Sequence, residues 1–291
     1  MSTLSIVSAD YSAITSIGVI NLPFADTSSL FDCAYPDSEL SAVDKYIENC
    51  REINKLWVDK SDISPEFSRL LLLGYVSAVE SYVRTVLRSI INTDTKAQSD
   101  AHSYVIPYGA ALYHKRPFLA EALLEGYSFA GESEIKKALN KFLEISNCGE
   151  EIQSLLGEFE KICQMRHCCV HRFGKLGAQN GIALGLALHS QALEKPLTLD
   201  VASLSDIASW LMSFVKALNN YLFRTMLDRS VNPKNPYQVT WHWSYSKDRV
   251  RFDKLYKLFA TTKDSTPSPS SKELYGRFRF AKKVVRDNKK K

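Results

Sequence analysis

The chain has 291 residues, 45% hydrophobic and 24% charged, with a formal net charge of +5, enough apolar content to bury a sizeable core, which excludes chain-wide disorder. No apolar run approaches the roughly 18 residues that cross a bilayer; the longest, LLLLGYVSAV, is interrupted by Glu80 and Arg84, so no membrane association is expected. The charge is uneven: Ser246 to Lys291 holds fifteen Lys and Arg against five Asp and Glu, a surplus of ten, so the basicity belongs to the tail.

Residues 1–39 are rich in Ser, Thr, Ile and Val, with turn signals at Asn21-Leu22-Pro23 and Pro36-Asp37; they read as an N-terminal arm, either one or two short strands or an irregular segment. No basic residue precedes Lys45, whereas a secretory signal needs a positive n-region, so export is not expected. From Glu39 the pattern turns helical: Leu40, Val43, Ile47, Cys50, Ile53 and Trp57 recur at three- and four-residue steps. A second helix starts in ISPEF, with Ser64 as N-cap and Pro65 at its first position, and runs to about Ile91. Shorter helical pieces broken by Pro117 fill Tyr108 to Ser128, and Glu132 to Ile145 is amphipathic.

The next helix, EEIQSLLGEFEKICQMRHCCVHRFG, stops at Gly174, the expected C′ residue. A strand-like interlude, GIALGLALHSQALEKPLTLDV, precedes a last long helix over Leu204 to Leu227. Beyond Arg229 the composition shifts: a breaker at Asn232 to Pro236, a strand-like QVTWHWSYS, an amphipathic RVRFDKLYKLFATT, and a linker, DSTPSPSSK, leading into ELYGRFRFAKKVVRDNKKK. The fold class is therefore all-α: a helical bundle over 40–230, a short arm over 1–39 and a basic, partly irregular extension over 231–291.

Two chemistries compete for MRHCCVHRFGK, Met165 to Lys175. Cys163, His167 and His171 fall four apart and could share a helical face, beside Cys168 and Cys169, and zinc takes such atoms. Structural zinc sites usually draw ligand pairs from two chain segments, however, and no second Cys or His pair occurs elsewhere; the cysteines read as small apolar core residues, and no metal or other cofactor is expected. The six cysteines are irregularly spaced, which fits a reducing cytoplasm better than a disulfide framework. The second chemistry rests on Arg166 and His171, an R-x4-H spacing. Five helical residues turn through roughly 500°, which leaves the two side chains about 140° apart, so a second copy of the helix is needed to bring an Arg and a His together. A plainer reading is that Arg and His at a helix C-terminus complement its dipole.

Arg166-His167-Cys168-Cys169-Val170-His171, followed by Arg172, Gly174 and Lys175, resembles the motif of the HEPN (higher eukaryotes and prokaryotes nucleotide-binding) ribonucleases, including abortive-infection-like members. Glu80, in VESYVRTVL, matches an acidic residue on a long early helix of that family, although an i,i+4 pair with Arg84 explains it equally well. The resemblance covers roughly Ser64 to Leu227. It implies a metal-independent endoribonuclease acting as a homodimer, with His171 as the base for a ribose 2′-hydroxyl or the acid for the leaving oxygen. Arg166 would sit on the phosphate, His167 would orient His171 or contact RNA, and Arg172 and Lys175 would bind RNA. It further implies a cytoplasmic growth-arresting effector of phage defence or a toxin system, with an antitoxin or defence protein as a second partner. The alternative is a noncatalytic module that binds RNA or protein. In the tail, Arg277, Arg279, Lys282 and Lys283 interleave with Tyr275, Phe278 and Phe280, a pattern suited to phosphate contact and base stacking, or else a merely solvated end.

Overall fold

The computed structural model describes residues 14, 15, 26–36 and 38–288, with side chains to residue 282. It divides into two compact units, Met1–Glu39 and Leu40–Lys291. In the first, the described residues hold one 3-10 turn, Thr27–Leu30, capped by Asp26, whose carboxylate accepts the Ser28 N–H at 3.0 Å. The strands expected there otherwise fall outside the described residues.

The second unit is all-α. Its helices are α1 (Ala42–Asn54), α2 (Pro65–Thr93), α3 (Thr95–Ala101), α4 (Tyr108–Tyr113), α5 (Leu119–Ala122), α6 (Glu132–Leu143), α7 (Gly149–Arg172), α8 (Ala178–Leu184), α9 (Leu186–His189), α10 (Val201–Val231), α11 (Tyr245–Phe259) and α12 (Ser271–Asn288). Ser41, Ser64, Asp94 and Asp200 cap α1, α2, α3 and α10, each side chain accepting the amide three residues on, which satisfies a donor the first helical turn leaves open. Pro65 sits at the start of α2 as its sequence predicts.

Helix α2 is the spine: α1, α3, α5, α6, α7, α10 and α11 all pack on it. Its apolar residues recur on nearly every face, so Leu72, Val76, Val79, Val83, Val86, Leu87 and Ile90 are all buried. Phe159 of α7 stacks on Phe214 of α10 at 4.9 Å between centroids. Buried Asn219 of α10 joins three helices, accepting from the Tyr82 hydroxyl at 3.3 Å and donating to the Phe259 carbonyl at 2.9 Å. By length and composition, α2 and α10 are each long and apolar enough to cross a membrane, contrary to the expectation from uninterrupted runs; most of α2's apolar residues are buried in the bundle, while Leu70 is exposed.

Three expectations are corrected. The interlude after Gly174 is helical, forming α8 and α9, and its strand character survives only as isolated bridges, Lys175 with Pro196 and Leu176 with Leu193. QVTWHWSYS forms no strand, because its alternate aromatic residues pack against helices instead of pairing with a neighbouring strand. The extension beyond 230 packs into the second unit: α11 lies on α1, α2 and α10, and the residues that lead into the expected linker, together with its first residue, Asp264, are clamped. Buried Asp44 of α1 accepts from Thr262 N–H at 3.0 Å, Thr262 hydroxyl at 2.9 Å and Lys263 N–H at 3.2 Å, while Lys216 pairs with Asp264 at 2.8 Å. Helix α12 then closes a second, aromatic core in which Leu227, Phe252, Tyr275 and Phe278 are buried among Trp241, Trp243, Tyr245 and Tyr256.

Candidate functional site

The motif occupies the last two turns of α7, where the helix leaves the bundle. Cys163 and Cys168 turn into the core, and burial pushes the Cys163 thiol well above its ordinary range and the Cys169 thiol up to about 11. All six cysteines are free thiols, and these three behave as small apolar residues rather than as nucleophiles. Among the described residues no three His, Cys, Asp or Glu side chains come together as a metal cage.

The polar side chains leave the helix on two sides. Arg166, half-buried, faces α2 and pairs with Glu80 at 3.5 Å. The i,i+4 alternative for Glu80 is not used: Arg84 instead donates to the carbonyls of Leu124 at 2.5 Å and Tyr127 at 2.8 Å. Burial raises the Glu80 carboxyl above its ordinary range, against the pull of Arg166 and Arg84. On the solvent side, His167 and His171 stand one turn apart with ring centroids 4.4 Å from each other. His167 Nδ1 lies 2.9 Å from Asn180 Nδ2 of α8, and Asn180, only 3% exposed, also reaches Gln164 Oε1 at 2.7 Å.

The end of α7 is built from an unusual pair. Phe173, not Gly174, is the first left-handed residue, with φ 51°, and Gly174 follows at φ 91° and donates to the Cys168 carbonyl at 3.0 Å. The N–H groups of Phe173 and Gly174 thus both satisfy the terminal Cys168 carbonyl. A Cβ at Gly174 would lie 2.5 Å from Arg69 Cδ, so glycine is required there for space as well as for φ. Arg69 is itself fixed, donating to the Leu197 carbonyl at 2.9 Å and pairing with Glu66 at 2.9 Å, and its guanidinium lies 5.5 Å from the centre of the exposed Phe173 ring.

The remaining nominated cations divide. Arg172 pairs with Glu194 at 2.5 and 2.7 Å, both side chains reaching solvent, and Lys175 is exposed beside it. In the tail, Arg277 pairs with Glu273 at 2.6 Å, Lys282 with Asp228 at 2.7 Å, and Arg279 donates to the Trp243 carbonyl at 3.4 Å; the Lys283 side chain lies outside the described residues. Tyr275 and Phe278 are core residues and cannot stack on bases; of the three rings named there only Phe280 is exposed. Helix α12 is thus a packed helix rather than a merely solvated end, and base stacking by Tyr275 and Phe278 is ruled out by their burial. Asn180 escaped the sequence reading altogether, since a lone Asn in an apolar stretch carries no spacing signal.

No family model, curated protein or solved structure matches this chain.

Proposed function

We propose that the chain is a metal-independent endoribonuclease of the HEPN kind, acting as a homodimer in the cytoplasm, where RNA cleavage would arrest growth in phage defence or a toxin system. The observation that carries this reading is the paired imidazoles of His167 and His171, 4.4 Å apart on the exposed end of α7, with Arg166 one residue before them. Imidazole moves protons near neutral pH, and a guanidinium fork matches two phosphate oxygens. In the reaction, His171 takes the proton of a ribose 2′-hydroxyl as its oxygen attacks phosphorus. The bond from phosphorus to the 5′-oxygen then breaks and that oxygen takes up a proton, leaving a 2′,3′-cyclic phosphate and a 5′-hydroxyl. Arg166 offsets the charge that builds on the phosphate. DNA, lacking the attacking hydroxyl, is spared.

The test is cleavage of total RNA by the purified chain in EDTA, with RNA ends sequenced. His171→Ala and Arg166→Ala are expected to lose cleavage while melting within a few degrees of the parent, since His171 is exposed and Arg166 half-exposed. Activity lost to chelation and restored by a divalent metal would overturn the mechanism.

The Glu80–Arg166 pair also favours a second reading, a noncatalytic module in which Arg166 ties α7 to α2. In that case Arg166→Ala lowers stability, and RNA is bound but left intact.

A further inference from the structure

Four side chains around α7 form one line of hydrogen bonds, and its direction is set at its first member. The Glu160 carboxylate accepts only: its Oε2 takes the Glu132 backbone N–H at 2.8 Å and its Oε1 takes Gln164 Nε2 at 2.6 Å. Gln164 therefore has its carboxamide NH2 committed to Glu160 and turns its oxygen the other way. There it meets Asn180 Nδ2 at 2.7 Å, so Asn180 must also present its NH2 side. The same nitrogen has a second hydrogen; the Gln164 backbone carbonyl lies 3.5 Å from that nitrogen, and His167 Nδ1, at 2.9 Å, is the nearer partner. Turning over any amide along this line sets donor against donor or acceptor against acceptor. Asn180 is nearly sealed from water, with 3% of its surface exposed, so solvent offers it little substitute for a mismatched partner. His167 Nδ1 consequently accepts, and the ring hydrogen of neutral His167 resides on Nε2.

We propose that Asn180 is a positioning residue that locks His167 in the Nε2–H form, which divides the labour of the histidine pair. His167 serves as a hydrogen-bond donor to a phosphate oxygen. His171 is then the member that accepts the 2′-hydroxyl proton. The division of labour rests on the ribonuclease reading; the tautomer rests on the hydrogen-bond line alone, which connects α7 and α8 to the end of α6 that Glu132 begins.

The experiment is nitrogen–proton correlation NMR of the full chain carrying ¹⁵N-labelled histidine, which distinguishes the Nε2–H from the Nδ1–H tautomer. His167 is assigned by the signals lost in His167→Gln. The parent is expected to show His167 as Nε2–H. Asn180→Asp offers Nδ1 an acceptor in place of a donor and is expected to shift the ring to Nδ1–H. Gln164→Leu frees Asn180 to turn over and is expected to give both forms, so a misfolded Asn180→Asp chain does not leave the proposal untested. Cleavage by Asn180→Asp is expected to fall by about 10–100-fold, in kcat rather than KM, the range known for partners that fix the tautomer of metal-bound imidazoles. An Nδ1–H form in the parent, or an unchanged tautomer in both variants, overturns the proposal. A parent that cleaves no RNA yet shows both tautomer changes overturns the role given to His171 and leaves the hold of Asn180 on His167 standing.

Discussion

Glu80 is a half-buried carboxylate facing one guanidinium at the edge of hydrogen-bond range. Burial raises its pKa above the ordinary carboxylate value, so the folded state favours the protonated form. The stability that this preference contributes is present below the unfolded pKa and is lost as pH rises through the folded one. Glu80→Gln carries no such titration. Chemical denaturation across the weakly acid range is therefore expected to show the variant gaining on the parent as pH rises, then running parallel once the parent carboxyl is ionised. A difference that shrinks with rising pH would mean that the attraction of Arg166 outweighs burial. The same residue shows what sequence conceals. Two readings of Glu80 were equally legible, an ion pair with Arg84 on its own helix and the acidic position of the family it resembles. The choice was made by α5, whose neighbouring carbonyls at Leu124 and Tyr127 take the Arg84 guanidinium. A residue four positions away is visible in a sequence, and a competing carbonyl some forty positions away is not.

Helix α12 was legible as a basic, aromatic segment, yet its periodicity carries another meaning once it is folded. Tyr275 and Phe278, three apart, face inward against Trp241, Phe252 and Trp243, while Lys272, Arg277 and Arg279 are exposed. Alternation in QVTWHWSYS and apolar density in GIALGLALHSQAL both imitate strands, because short apolar runs do not by themselves distinguish the two periods; the long helices α2, α7 and α10 carry enough turns to be unambiguous. Deleting 271–291 would therefore expose an aromatic core as well as remove charge, and a salt titration on that deletion would mix the two effects. The sounder perturbation is at the latch of the helix. Asp248 is buried against an unfavourable desolvation, which is outweighed by the Tyr275 hydroxyl at 2.6 Å and by the backbone and Nδ1 of His242 at 3.0 and 3.1 Å; its pKa ends below the ordinary carboxylate value. Its contribution is present above the unfolded pKa of about 3.9 and is lost as pH falls through the folded one. Tyr275→Phe leaves a buried acceptor short of a donor and is expected to cost about 1–3 kcal/mol. Acidification below about pH 4 is expected to loosen α12 in the parent, read as a change in tryptophan emission from Trp241 and Trp243. Emission unchanged by both the substitution and the acid would show that apolar packing alone holds the helix.

At the scale of the whole molecule, one chain presents the proposed catalytic set incompletely. Arg166 is drawn to α2 by Glu80 while His171 stands on the solvent side of α7, consistent with the wide angle that five helical residues impose. The surface around that helix end is apolar for an exposed one: Val170 is 46% exposed, Phe173 78% and Ile182 of α8 65%. Exposed apolar groups gathered beside the proposed catalytic residues are what a self-associating face requires, and in the proposed dimer a two-fold axis through the end of α7 would set the Arg166 of one chain toward the His171 of the other. Sedimentation of the parent is expected to give a dimer, and Val170→Lys with Phe173→Lys a monomer that cleaves no RNA although Arg166 and His171 are intact. The decisive measurement mixes two inactive chains. In a heterodimer of Arg166→Ala with His171→Ala, one of the two composite sites receives the intact Arg from one chain and the intact His from the other, and the second receives neither. Such a mixture, after exchange of subunits, is expected to recover cleavage approaching a quarter of the parent level, because about half the dimers are mixed and each mixed dimer has one working site of two. Recovery of nothing, with heterodimers present, would place Arg166 and His171 of the same chain in one site and require α7 to bend or unwind before it could act.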